Sequence, residues 1–381
     1  MLYFKSLNRF FGEDTHPRLC SIVDAGERCI DLGGRYHEKA LSILTAGCLA
    51  VSLAACGSTA ASSAASAADS TASSAAESTA ASDTAAADGQ TYKVGICQLV
   101  QHVALDAATQ GFKDALTEQL GDAVTFEEKN AQGDSNTCST IINGFVSDNV
   151  DLILANATPA LQAAQAGTNT IPVLGTSVTE YGVALGIDDF DGLVGTNISG
   201  TSDLAPLDEQ AGIIKELFPD AKTVGLLYCS AEANSQYQVD TVKASLEELG
   251  YTCEYYAFSD SNDLATVCQS AADASDVIYV PTDNTVANNT EIVNNICQPA
   301  GVPVVAGEEG IMGGCGVATL SISYYDLGVA TGKMAAKILT GESKVEEMPI
   351  EYAPEFTKEY NPTIAEALGI TIPDDYVAYE G

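Results

Sequence analysis

Residues 92–116 read YKVGICQLVQHVALDAATQGFKDAL, and residues 222–246 read KTVGLLYCSAEANSQYQVDTVKASL. Each opens on a short β-rich apolar run, Tyr92–Gln98 and Thr223–Tyr228. Each then passes through a polar break into a helix-period stretch; in the first, Ala108, Phe112, Ala115 and Leu116 recur on one face. A strand feeding a helix and then restarting predicts parallel sheets flanked by helices. Two rounds of the same pattern predict two similar lobes.

The pattern extends outward from both stretches. Strands are expected at 124–129, 152–155, 171–175, 252–257, 277–280, 302–306 and 317–320. Helices are expected at 107–120, 137–148, 159–167, 208–217, 235–249, 264–274, 285–300 and 326–339. The fold class is therefore α/β, two Rossmann-like lobes. Neither round carries a glycine-rich dinucleotide or phosphate motif.

The front of the chain reads differently. Residues 40–55, ALSILTAGCLAVSLAA, are uncharged and follow Lys39. Sixteen residues are short for a span of about 20, and fit the apolar core of a secretory signal. The run closes on Leu53-Ala54-Ala55-Cys56-Gly57, the pattern of a bacterial lipoprotein signal with Cys56 as the lipidation site. Residues 1–55 are expected to be a leader and signal peptide, with 1–38 either a start placed too early or a long leader. Residues 56–90 are expected to be a lipidated cysteine followed by a disordered Ser/Ala tether.

From Cys56 on there are ten lysines, no arginine and 46 acidic residues. Such a surface disfavours nucleic acid, whose phosphates need Lys and Arg. His102 is the sole histidine there, and with no Cys-x-x-Cys neither a metal nor a cofactor is expected. Seven cysteines follow Cys56, an odd number that cannot pair fully. Cys97 and His102 make no convincing nucleophile and base without a third group, so no enzyme is expected.

Small polar residues follow each strand: Gln98 to His102, Asn156 to Pro159, Thr176 to Thr179, Ser230 to Ser235, Thr282 to Asn284, and Gly307 to Glu309. One such edge is a helix cap. Six, at the carboxyl ends of strands in two lobes, read as the jaws of a cleft. Thr282, Asp283 and Asn284 fit both roles.

The stretches HVALDAATQGFKDAL (102–116), NAQGDSN (130–136), DLILANATPALQAA (151–164), IPVLGTSVTE (171–180), LLYCSAEANS (226–235), VIYVPTDNT (277–285) and ISYYDLGVATGKMAAKIL (322–339) together span nearly all of 92–375. In their order and spacing the chain resembles the ABC transporter substrate-binding lipoproteins of the tryptophan/tyrosine-binding type. The resemblance implies a type I periplasmic-binding fold, two lobes joined by three crossovers and closing on a ligand. It implies an N-terminal lobe of 91–198 plus 322–346 and a C-terminal lobe of 199–321 plus 347–381. Crossovers are expected near 197–202, 320–325 and 346–352.

The ligand-binding residues it implies are Gln98, His102, Thr158, Pro159, Ser177, Val178, Thr179, Glu232, Ser235, Thr282, Asp283, Asn284 and Glu308. Two motifs depart from the family pattern: Gln101-His102-Val103 stands for Glu-His-Pro, and Thr179-Glu180-Tyr181 for Thr-Asp-Pro. Without arginine, an amino-acid carboxylate would fall to Ser177, Thr179, Thr158 and helix N-termini. The ammonium would fall to Asp283, Glu232 or Glu308, with Tyr181 or Phe190 as a wall for the ring. The expected function is an extracytoplasmic, lipid-anchored, monomeric receptor. It would deliver a small solute, an aromatic amino acid first, to an ABC permease and its ATPase. The alternatives are a ligand sensor with a signalling partner, or a receptor for a branched-chain amino acid, nucleoside or sugar.

Overall fold

Tyr92–Gln98 forms β1 and Val103–Leu120 forms α1. The alternation continues through β2 (Val124–Asn130), α2 (Ser135–Ser147), β3 (Leu152–Asn156), α3 (Thr158–Gly167), β4 (Val173–Val178), α4 (Tyr181–Leu185) and β5 (Ile198–Ser202). The computed structural model describes residues 90–380, so Cys56, the leader and nearly all of the Ser/Ala segment lie outside the described residues.

The second round builds α5 (Leu207–Leu217), β6 (Thr223–Cys229), α6 (Ala233–Glu248), β7 (Thr252–Phe258), α7 (Ser261–Ala274) and β8 (Val277–Val280). It ends with α8 (Asn284–Ala287), α9 (Thr290–Ala300), β9 (Val304–Ala306), α10 (Glu309–Cys315) and β10 (Ala318–Ser321). The chain then returns to the first lobe as α11 (Tyr324–Leu339) and β11 (Glu351–Tyr352). It finishes in the second with β12 (Thr357–Tyr360), α12 (Pro362–Leu368) and β13 (Val377–Ala378).

The N-terminal lobe holds a parallel sheet in the order β11-β5-β4-β3-β1-β2. The C-terminal lobe holds β13-β12-β10-β9-β8-β6-β7, in which β12 pairs antiparallel with β10 and β13 runs with β12. Central strands such as β3 (LILAN) and β8 (VIYV) are buried at every residue. Helices on both faces demand such continuous apolar runs.

Helices α1 and α11 pack at backbone distance. A Cβ at Gly111 would collide with the Tyr325 carbonyl, and one at Gly328 with the Ala108 carbonyl. This contact carries Phe112 and Leu116 onto a core with Leu154, Leu174 and Met334.

Three crossovers join the lobes, two of them later than the sequence predicts. Ile198–Ser202 is a strand bonded to β4 and Glu351–Tyr352 a strand bonded to β5, so the chain crosses at 203–206 and 353–356. The strand signal of ISGTS is weak because its side chains are small and polar. They are satisfied internally: Ser199 Oγ donates to Met348 O at 2.9 Å, and Thr201 Oγ1 lies 2.8 Å from Thr331 Oγ1. The middle crossing, 322–323, falls inside its expected range. The helix expected at 285–300 is two, α8 and α9. It breaks at Asn288 and Asn289, where the Asn289 amide turns back 2.8 Å onto the Thr285 carbonyl.

Candidate functional site

The carboxyl ends of β1, β3 and β4 face those of β6, β8 and β9 across a cleft. At its outer end, remote from the crossovers, lies a cavity of about 190 Å³. Leu99, Val100 and Pro159 line it from one lobe, and Ala231, Asn284 and Asn288 from the other. The lobes touch here: His102 Nε2 lies 3.3 Å from Asn284 Oδ1. Nδ1 of the same ring is buried with no hydrogen-bond partner. Burial pushes the His102 pKa down, partly offset by the Asn284 contact and by Glu232 and Asp106 nearby.

The C-terminal jaw is a closed network. Glu232 accepts four bonds, from Asn284 N (3.0 Å), Asn284 Nδ2 (2.7 Å), Thr285 N (2.9 Å) and Thr285 Oγ1 (2.8 Å). It therefore fixes the start of α8 and aims the Asn284 carbonyl at His102. Asp283 accepts from Cys229 N (2.7 Å) and Val286 N (2.9 Å), tying β6 to α8. Burial, and then Glu232, pushes the Asp283 pKa up to about 7. Ser235 is buried beside it, accepting a bond from Asn234. Thr282 is held through its backbone by Asn234 and Gln238. Glu308 caps α10 through Gly310 N and Ile311 N, and burial raises it to about 7. These three carboxyls, expected to receive an ammonium, are spent on protein donors.

The N-terminal jaw sorts differently. Gln98 is consumed inside the lobe: its amide donates to Val100 O and Asp106 and accepts from Thr109. The Val178 side chain lies in the core, not the cleft. Tyr181 is no wall for a ring either. Its hydroxyl donates to Thr201 O at 3.1 Å and fills the space that Gly175 and Gly200 leave without side chains. Phe190 packs on the same core.

Two features on this side are not consumed by the fold. Helix α3 starts at Thr158 and Pro159, both buried, with no side-chain cap. Its preceding residue, Ala157, holds φ 88°, a strained conformation that places the turn. Ser177 also has a positive φ, 53°, at the β4 irregularity, and its hydroxyl is buried without a partner. A buried, uncapped helix start beside an unbonded hydroxyl is an anion site in waiting.

Sequence reasoning missed Asp203 and Tyr324, which meet where the first two crossovers pass. Tyr324 OH donates to Asp203 Oδ2 at 2.9 Å, while Asp203 Oδ1 is buried without a partner. An acid in the first crossover was the available signal, hidden because that crossover was expected earlier. Seven cysteines are free and buried among the described residues; Cys268 and Cys297 bring their sulfurs to 3.6 Å. No group of three metal-ligating side chains exists among the described residues.

Residues 93–380 match the family model described as ABC transporter substrate binding protein. The chain is 36% identical over 260 residues to the tyrosine-binding protein of Clostridioides difficile strain R20291, covering 68% of this chain and 75% of that protein. It is also similar to the solved ABC domain in complex with L-Trp from Streptococcus pneumonia. There the identity is 34% and the TM-score 0.72, over 75% of this chain and 97% of the other. A ligand-free, open substrate-binding protein with adhesive properties from Clostridium difficile is 38% identical. Its TM-score is 0.59, over 76% of this chain and 100% of the other. The better geometric match of these two is the tryptophan complex, despite its lower identity. The chain belongs to the ABC transporter substrate-binding family. Sugar- and inositol-binding structures at 13–16% identity share the fold alone.

Proposed function

We propose that this protein is the receptor of an ABC importer for an aromatic amino acid, tryptophan or tyrosine. The observation that carries the reading is the buried, uncapped start of α3 beside the unpartnered Ser177 hydroxyl. In a chain with no arginine after Arg35, a ligand carboxylate needs such backbone N–H groups. Of the thirteen expected residues, His102, Thr158, Pro159, Ser177, Thr179 and Asn284 belong to the ligand's surroundings. Glu232, Ser235, Thr282, Asp283, Glu308 and Gln98 hold those surroundings in place, and Val178 supports them from the core. The ring lies toward Leu99, Val100 and Pro159. The relatives that bind tyrosine and L-Trp support this choice over sugars.

Cys56 carries the lipid, residues 57–90 tether the receptor monomer outside the cytoplasmic membrane, and the closed form docks on the permease. No helix among the described residues is long and apolar enough to cross a membrane.

The chain contains no tryptophan, so indole emission reports the ligand alone. Titrating the full chain with L-tryptophan should shift and saturate that emission. Either amino acid at 100-fold over its Kd should raise unfolding stability by about 2.7 kcal/mol. Tryptamine, lacking the carboxylate, should bind roughly 100-fold more weakly. No response to either amino acid, with a shift from a sugar or nucleoside, overturns the assignment of cargo.

A further inference from the structure

Four carboxyls lie buried around the cleft, and three are saturated. Glu232 accepts four bonds, Asp283 two from backbone N–H groups, and Glu308 two more. Asp203 is the exception. It is 4% exposed, Tyr324 engages one oxygen, and the other meets no partner. None of the ion pairs among the described residues reaches it; all lie on the surface and use lysines far from the cleft.

Its position is as particular as its vacancy of partners. Asp203 follows β5 in the first crossover, and its N–H reaches Val178 O at the end of β4. Thr179 and Tyr324 lie against its carboxyl, and Glu308 of the other lobe adds negative potential. Asp203 thus sits between the lobes, at the crossover that follows the ends of β4 and β5 and within the field of Glu308. The carboxylate site at α3 and Ser177 opens from the neighbouring strands β3 and β4.

We propose that the free oxygen of Asp203 receives the ammonium of the solute, so that the cleft selects a zwitterion by a cationic and an anionic pole. The assignment rests on the receptor reading above and narrows it to solutes bearing a primary amine. A buried carboxyl with one unused oxygen and no counter-ion is costly unless a cation arrives. A ligand ammonium supplies it with a charge-assisted bond. A divalent metal would need six or more oxygens, which this site does not gather.

The test compares L-tryptophan with indole-3-propionate, which keeps ring and carboxylate but lacks the amine, on the full-length protein. Wild type should prefer tryptophan by roughly 100-fold, and Asp203→Asn should lose that preference by weakening tryptophan while leaving the des-amino acid within about 3-fold. Asp203→Ser removes the charge by a second route should the amide variant misfold. Wild type binding both compounds equally would overturn the ammonium site and leave the receptor reading intact. Wild type binding neither, nor tyrosine, would overturn both. A variant that keeps the preference, or weakens both compounds equally, would overturn the role of Asp203.

Discussion

His102 of the N-terminal lobe and Asn284 of the C-terminal lobe stand 3.3 Å apart across the cleft. Each is prepared by its own lobe: His102 ends the β1 loop at the start of α1, and Glu232 fixes the Asn284 amide. Because the two residues come from different lobes, the pair would act as a latch on lobe closure. A net hydrogen bond of about 0.5–1.5 kcal/mol predicts that His102→Ala or Asn284→Ala speeds ligand release roughly 2–12-fold. Stopped-flow indole fluorescence would measure it. The double variant should add little to either single one. Full additivity would show that the two residues act separately.

The same latch gives closure a pH dependence. Burial holds the closed-state His102 pKa below 6.5, while the open lobe exposes the ring. Closure is then unimpaired above about pH 6.5 and weakens as pH falls below it, because the protonated ring prefers water. Asp106 and Glu232 soften the effect without reversing it. Tryptophan affinity should fall between pH 7 and pH 5, and less so in His102→Gln. Asp203, which burial holds above the usual carboxylate range, pulls in the same direction as it takes up a proton. An identical slope in both proteins would clear His102 of the role.

Stability should tilt toward mild acid. Asp283, Glu308 and Glu309 are each raised to about 7, mainly by burial. The native state therefore holds protons that the unfolded chain has released. Stability is full below the unfolded values near 4 and declines as pH rises toward 7. Exposed Asp134 and Asp276 pull the other way below about pH 4, since backbone donors hold their pKa values down. Tm should be higher at pH 5 than at pH 8, by thermal scan without ligand. The reverse order would mean that water reaches these carboxyls.

Asp283 bridges β6 and α8, so Asp283→Ala should lower stability by roughly 1–3 kcal/mol as well as weaken binding. Chemical denaturation of the unliganded protein separates the two effects. Weakened binding at wild-type stability would return Asp283 to the ligand's surroundings.

Gly328→Ala should cost about 1–3 kcal/mol, because its methyl meets the Ala108 carbonyl and forces α11 away from α1. At this chain length that is a Tm drop of several degrees. An unchanged Tm would mean that the two helices can part without loss.

The strand and helix alternation was legible because parallel strands bury both faces and so read as unbroken apolar runs, as in LILAN and VIYV. Strand β5 was not, since Ser199 and Thr201 hide their burial behind hydroxyls that bond inward. The strand-end rule picked out, beside Pro159 and Val178, the eleven polar residues proposed above to line or support the cleft. It could not separate Asp283, whose carboxyl is bonded to backbone N–H groups, from Ser177, whose buried hydroxyl has no partner. That difference lies in hydrogen-bond partners, most of them 20 or more residues away in the chain, as with Cys229 and Asp283. Asp203 escaped for the same reason: its unused oxygen is visible only once its neighbours are in place.

Helix α11 belongs spatially to the first lobe but is written near the end of the chain, after all of β6 to β10. A nascent chain emerging from its N-terminus cannot finish its first lobe until most of the second has been made. Phe112 and Leu116 stay uncovered until residues 324–339 arrive, whereas residues 207–321 already carry the contiguous bulk of the second lobe's sheet. Both lobes are thus completed only by the last segments of the chain, the first by α11 and β11 and the second by β12, α12 and β13. An arrested or truncated product ending before Tyr324 would be caught with one lobe largely built and the other held open for chaperones or proteases.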